Sequence, residues 1–336
     1  MTRRTPADPA GYALGVPSLS TNLAGIPLFS PIMLAAGTAG TLSELADVLD
    51  LSRVGAVVTK SITAQPRDGN QTWRILPTDA GMLNAIGLAN VGVDAFVRDY
   101  APRVPQVPTT VIASVAGYSI EDYCRVAAAL EPIPSIPALE LNVSCPNVHG
   151  GCEFSADTEQ LSQLIREVRP VLKTKRLFVK LSPIASGKPG MAEIARAAIE
   201  PGGEPGGPNS RPGADGLCIS NTIPAMAIDV ETRRPRLANV TGGLSGPAVH
   251  NVAVKLVYDV HRTIAKQTQT PLIGIGGVTR WHHAAEFILA GASAVQIGTA
   301  LFADPKTPHK VAIGLEKWLT RQHAASIGDL VGGLRL

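Results

Sequence analysis

The run from Leu139 to Gly151, LELNVSCPNVHGG, sets a cysteine, Cys145, between two asparagines, Asn142 and Asn147, directly after an apolar stretch. A thiolate at the start of a loop can act as a base or a nucleophile, whereas a buried cysteine is an inert small hydrophobe. The asparagines offer paired donors and acceptors that suit a flat heterocycle with amide edges, although asparagine also fills turns for local reasons. Two lysines, Lys60 and Lys180, end other apolar runs. Each could meet an anion such as a substrate carboxylate, or simply be an exposed strand end. Gly276 with Gly277, and Gly298 with Thr299, follow two later runs. Their backbone N–H groups could cradle a phosphate, while tight turns with positive φ would call for the same glycines.

Eight apolar runs must position these residues. They are IMLAAG from Ile32, AVVTKS from Ala56, TVIASVAG from Thr110, ALELNVS from Ala138, LFVKLS from Leu177, GLCISNT from Gly216, PLIGIGG from Pro271 and AVQIGT from Ala294. None alternates in hydrophobicity, which fits strands buried on both faces, and each precedes a helical pattern such as Thr158 to Val168 or His282 to Ala290. Eight parallel βα units predict an α/β fold of the (β/α)8 TIM-barrel type, in which chemistry collects at the C-terminal strand ends. Those ends carry Gly37, Lys60 with Ser61, Ser114, Asn142 with Cys145 and Asn147, Lys180, Asn221 with Thr222, Gly276 with Gly277, and Gly298 with Thr299. A doubly wound sheet is the other arrangement of such units, but LAAGTAG lacks its glycine spacing.

Two stretches depart from a minimal barrel. EPGGEPGGPNSRPGADG, from Glu200, has no apolar periodicity and reads as a Gly/Pro-rich surface insertion over 200–213. The segment from Ile223 to Gly246 alternates around a charged turn and predicts a β-hairpin protruding after the sixth strand. Residues 1–20 read as a flexible arm on one domain spanning 1–336.

The chain has 336 residues, 45% of them hydrophobic and 17% charged, with a formal net charge of +3. No basic block points to nucleic acid or an anionic membrane, and no window approaches a membrane span. Cys124, Cys145, Cys152 and Cys218 show no metal-site spacing, so no metal is expected, and reduced thiols fit a cytoplasmic protein.

Taken together, LAAGTAG, VVTKSIT, NAIGLAN, ELNVSCPNVHGG, FVKLSP, the long run SNTIPAMAIDVETRRPRLANVTGGLSGPA, IGIGGV and VQIGTAL resemble, in order and over nearly the whole chain, the class 1 dihydroorotate dehydrogenases, and among them the type B catalytic subunit. The resemblance implies FMN-dependent oxidation of (S)-dihydroorotate to orotate in pyrimidine biosynthesis. It implies FMN contacts at Ala36, Gly37, Lys60, Ser61, Ser114, Asn142, Lys180, Ser220, Gly246, Gly276, Gly277, Gly298 and Thr299, with the phosphate on the last four. It places dihydroorotate against Lys60, Asn84, Gly87, Leu88, Asn142, Asn147, Asn221 and Thr222, with Cys145 as the base for the C5 proton. Ser114 stands where the family usually has asparagine, and so does Ile184.

The same resemblance implies a homodimer, flanked by an FAD and iron–sulfur subunit that passes electrons to NAD; direct reduction of fumarate is the alternative acceptor reaction. Two further readings compete. One is a related flavin enzyme acting on uracil or thymine, and the other is an FMN-binding barrel without turnover.

Overall fold

The computed structural model describes residues 18–144, 154–183, 187–202 and 211–336. All eight runs form strands: β1 (Ile32–Leu34), β2 (Ala56–Val58), β3 (Thr110–Val115), β4 (Ala138–Asn142), β5 (Arg176–Leu181), β6 (Gly216–Ile219), β7 (Leu272–Ile275) and β8 (Ala292–Ile297). Each pairs in parallel with the next, and β8 pairs with β1 at Val295 and Ile32, so the sheet closes into an eight-stranded barrel.

Closure explains the unbroken hydrophobicity, since one face of each strand fills the barrel and the other packs on helices. Met33, Ala56, Val58, Ile112, Ala138, Phe178, Cys218, Ile273 and Ala294 fill the interior. A hairpin of Thr21–Leu23 and Ile26–Leu28 adds Leu23, Ile26 and Leu28 to that interior cluster. Outward residues such as Leu34, Val57, Leu139 and Val179 share a second cluster with the helices.

Those helices are α1 (Ile120–Leu130), α2 (Thr158–Val168), α3 (Met191–Ile199), α4 (His250–Val260), α5 (Trp281–Ala290) and α6 (Thr307–Gln322). Ser119 caps α1 by accepting from the Asp122 N–H, and Asp157 caps α2 by accepting from Glu159 and Gln160, which satisfies first-turn amides. The expected helix after the first strand is not formed. Glu44 instead accepts from the Thr41 and Leu42 N–H groups, and a 3-10 turn at Leu51–Arg53 completes the crossover.

The excursion after β6 is larger than one hairpin. Ile223–Met226 pairs antiparallel with Thr241–Ser245, which pairs on its other edge with Gly81–Asn84, itself paired with Ile75–Thr78. The result is a four-stranded sheet from two distant segments, with a small core of Leu76, Leu83 and Leu237. Within the expected arm, the Ser18 N–H donates to the Ala325 carbonyl and Leu19 is buried. Residues 1–17, most of the Gly/Pro-rich insertion (203–210) and Ile184 lie outside the described residues. Among the described residues no helix is long and apolar enough to cross a membrane, and no group of three or more His, Cys, Asp or Glu could hold a metal ion.

Candidate active site

The C-terminal strand ends and the four-stranded sheet enclose a cavity of about 420 Å³. Its wall includes Ala36, Gly37, Lys60, Ser61, Asn84, Leu88, Asn142, Lys180, Ser220, Asn221, Thr222, Gly246, Gly276, Gly277, Gly298 and Thr299, residues brought together from positions spread over most of the chain. Cys145 and Asn147 lie outside the described residues. Cys145 follows directly on Ser144, which shares an adjoining cavity of about 350 Å³ with Asn84, Asn221 and Thr222.

Two named candidates sit behind the wall. Ser114 is fully buried, its hydroxyl 2.9 Å from that of Ser61 and its N–H donating to Thr59 Oγ1, so it orients Ser61 instead of facing the cavity. Gly87 (φ +74°) forms the turn that leads to Leu88, and a Cβ there would come within 2.6 Å of the Asn70 main-chain nitrogen. The remaining described candidates share the wall.

At one end, the turn after β7 runs through Gly276 and Gly277, against Gly246 and the start of α4. Gly277 has φ +66°, and a Cβ there would stand 2.7 Å from the Gly246 carbonyl oxygen, so only glycine fits. Nearby, the Thr299 hydroxyl donates to Ser245 Oγ, which donates to the Met82 carbonyl, tying β8 to the overlying sheet. Glycine turns after the seventh and eighth strands form the usual phosphate site of this barrel type.

At the other end the groups are polar and already oriented. Asn221 Nδ2 donates to Asn142 Oδ1 at 3.0 Å and to Ser144 Oγ at 2.8 Å, and the Thr222 N–H donates to Asn221 Oδ1. The Tyr123 hydroxyl donates to the Asn142 carbonyl at 2.6 Å, which pins the end of β4. Asn142 Nδ2 has no partner among the described residues, so its donors are available to a ligand. The strand Thr241–Ser245 closes over Thr222, and a Cβ on Gly243 would overlap the Thr222 side chain.

Lys60 and Lys180 complete the cavity. Lys180 is 6% exposed, and neither lysine forms an ion pair among the described residues. A nearly buried ammonium without a carboxylate is costly unless an anion binds beside it. These residues fit FMN: glycine turns for its phosphate, apolar walls from Ala36, Met82, Val249 and Ile275 for its ring, and an ammonium for the charge of its reduced form. The two described cysteines are poorly placed to react as thiolates. Burial pushes the Cys124 thiol up to about 11, and burial followed by the nearby Glu140 raises that of Cys218.

Arg74, Ile75, Met82, Ile86, Leu244, Ser245 and Phe302 also line the cavity without having been singled out from the sequence. Most stand on the four-stranded sheet or its flanks. The turn-like TDAG between two short apolar runs was the available signal for the first hairpin.

A closed parallel barrel with polar and glycine-rich strand ends places the chain among the (β/α)8-barrel proteins. The family model described as dihydroorotate dehydrogenase matches residues 18–319, and the chain belongs to that family. It is 45% identical over 319 residues to a Pelobacter propionicus protein named dihydroorotate dehydrogenase B (NAD(+)), catalytic subunit, covering 95% of this chain and 99% of that one. Proteins of the same name from Geotalea uraniireducens and Bacteroides thetaiotaomicron are 43% and 42% identical, over 96% and 95% of this chain and 99% of each of them.

Proposed function

We propose that the protein oxidises (S)-dihydroorotate to orotate with FMN as its cofactor, as the catalytic subunit of an NAD-linked assembly. The observation that carries this reading is the cavity itself, with glycine turns at one end and, at the other, an oriented asparagine cluster beside two lysines that form no ion pair among the described residues. When bound, FMN supplies the acceptor for the C6 hydrogen and its electron pair, so that loss of the C5 proton leaves the C5=C6 double bond of orotate.

The chain's own residues do the rest. Asn142, Asn221 and Thr222, with Asn84 and Asn147, hold the amide edges of the ring in a fixed plane. Lys60 meets the substrate carboxylate and Lys180 offsets negative charge that develops beside it. Cys145, three positions after Asn142 in the sequence, takes the C5 proton as thiolate. Asn221 is already hydrogen-bonded through both ends of its amide, so the substrate meets a preorganised edge and little reorganisation is needed.

Delivery of electrons to NAD falls to a second subunit carrying FAD and an iron–sulfur cluster, joined to a homodimer of this chain. The words "catalytic subunit" and "NAD(+)" in the relatives' names support a partner subunit and the link to NAD, while the FAD, the iron–sulfur cluster and the homodimer rest on the resemblance of the sequence motifs to type B enzymes.

The decisive experiment is an anaerobic absorbance spectrum of the purified chain before and after addition of L-dihydroorotate. The oxidised flavin band is expected, and it should bleach on addition. A yellow protein that dihydroorotate leaves unchanged would remove this substrate, and a colourless protein that takes up no FMN would remove the cofactor.

A further inference from the structure

The Gly276–Gly277 turn is held from behind by a buried histidine. His250, the first residue of α4, is 4% exposed, and its Nδ1 lies 2.8 Å from the Gly276 carbonyl oxygen. A carbonyl only accepts, so Nδ1 carries the proton and donates it. The other ring nitrogen, Nε2, lies 2.5 Å from Glu286 Oε2 on α5, which orients the ring from the far side. Phe287 stands edge-on to the ring at 5.2 Å and His283 lies 4.5 Å away. The His283 imidazole is pushed down to about 4 by its burial and then by His250, so it is neutral at working pH.

The planar peptide gives this contact its consequence. The Gly276 carbonyl and the Gly277 N–H belong to one trans unit and point in opposite directions. A donor that captures the carbonyl on the α4 side turns the Gly277 N–H away from α4, and Gly277 lines the cavity. A hydrogen bond on the carbonyl also polarises that N–H.

We propose that His250, oriented by Glu286, is a positioning residue for phosphate recognition, fixing the Gly276–Gly277 peptide so that its N–H faces the phosphate of the flavin. This rests on the reading that FMN binds with its phosphate at that turn. His250 does not touch the ligand; it acts through the peptide.

The test titrates deflavinated full-length protein with FMN and with riboflavin, which lacks the phosphate, by flavin fluorescence. The wild type should bind FMN more tightly than riboflavin. His250→Ala should weaken FMN binding about 10-fold or more and leave riboflavin binding unchanged. His250→Asn, whose Nδ2 occupies roughly the place of Nδ1, should recover most of the loss without Glu286. Equal weakening of both flavins in His250→Ala would mean a merely structural role and overturn the proposal. A wild-type preference for FMN that survives intact in His250→Ala would remove His250 alone. A wild type with no preference would remove the phosphate site and the role of His250 with it.

Discussion

The chemistry proposed here turns on one side chain, Cys145, and the two cysteines among the described residues are unsuited to the same role. Cys124 and Cys218 are both held protonated by burial, the first with its thiol near 11. A base must lose its own proton first, so a thiol base gives rates that rise with pH through the range in which the thiol ionises. Cys145→Ala is expected to keep the oxidised flavin band while slowing its bleaching by dihydroorotate about 100-fold or more, read by anaerobic stopped flow. Bleaching at the wild-type rate would strike Cys145 from the mechanism. Lys60, Lys180, Asn142, Asn221 and Thr222 were readable from the sequence because each ends, or directly follows, an apolar run too long for a loop, and a polar group there needs a reason. Ser114 satisfied the same rule and still faces away. Which side of a strand end meets the cavity depends on barrel tilt and on a neighbour such as Ser61, neither of which periodicity contains.

The elements divide by how far apart in sequence their partners lie. The barrel strands pair with sequence neighbours and were legible as buried runs. The first half of the overlying sheet was not, because Ile75–Thr78 and Gly81–Asn84 are four-residue strands that bury one side chain each, Leu76 and Leu83. They are completed by Thr241–Ser245, which arrives from beyond β6. Their core is small, and Leu237 at 2% exposure is one of its three buried members. Leu237→Ala should therefore cost about 2–5 kcal/mol locally, enough to open this sheet while the barrel stays folded. Limited proteolysis should then cut within 223–245, the KM for dihydroorotate should rise, and the helical signal in far-UV circular dichroism should be retained. A cleavage pattern identical to the wild type's would show that the sheet does not depend on Leu237.

Across the whole molecule, the site occupies one end of the barrel and buried ionic support the other. Near the N-terminal strand ends, the Asp215 carboxylate accepts from Arg169 Nη1 and from the Leu177 N–H, both at 2.8 Å, while Arg169 Nη2 donates to the Leu172 and Lys175 carbonyls. The Arg169 side chain is fully buried and that of Asp215 is 4% exposed, so neither charge has water to fall back on. Asp215→Asn would leave the guanidinium uncompensated and should destabilise the fold by about 3–5 kcal/mol in chemical denaturation, with kcat/KM of the folded protein unchanged. A loss of kcat/KM at constant stability would contradict this separation of ends. By itself, the sequence determined the eight parallel strands, the residues at their ends and the family, because burial on both faces and polar interruption are local properties of the chain. The closing of β8 on β1, the sheet shared by two distant segments, and the capture of the Gly276 carbonyl by His250 were decided only in the tertiary structure. Each requires groups separated along the chain to meet at one geometry, and no local pattern encodes that distance.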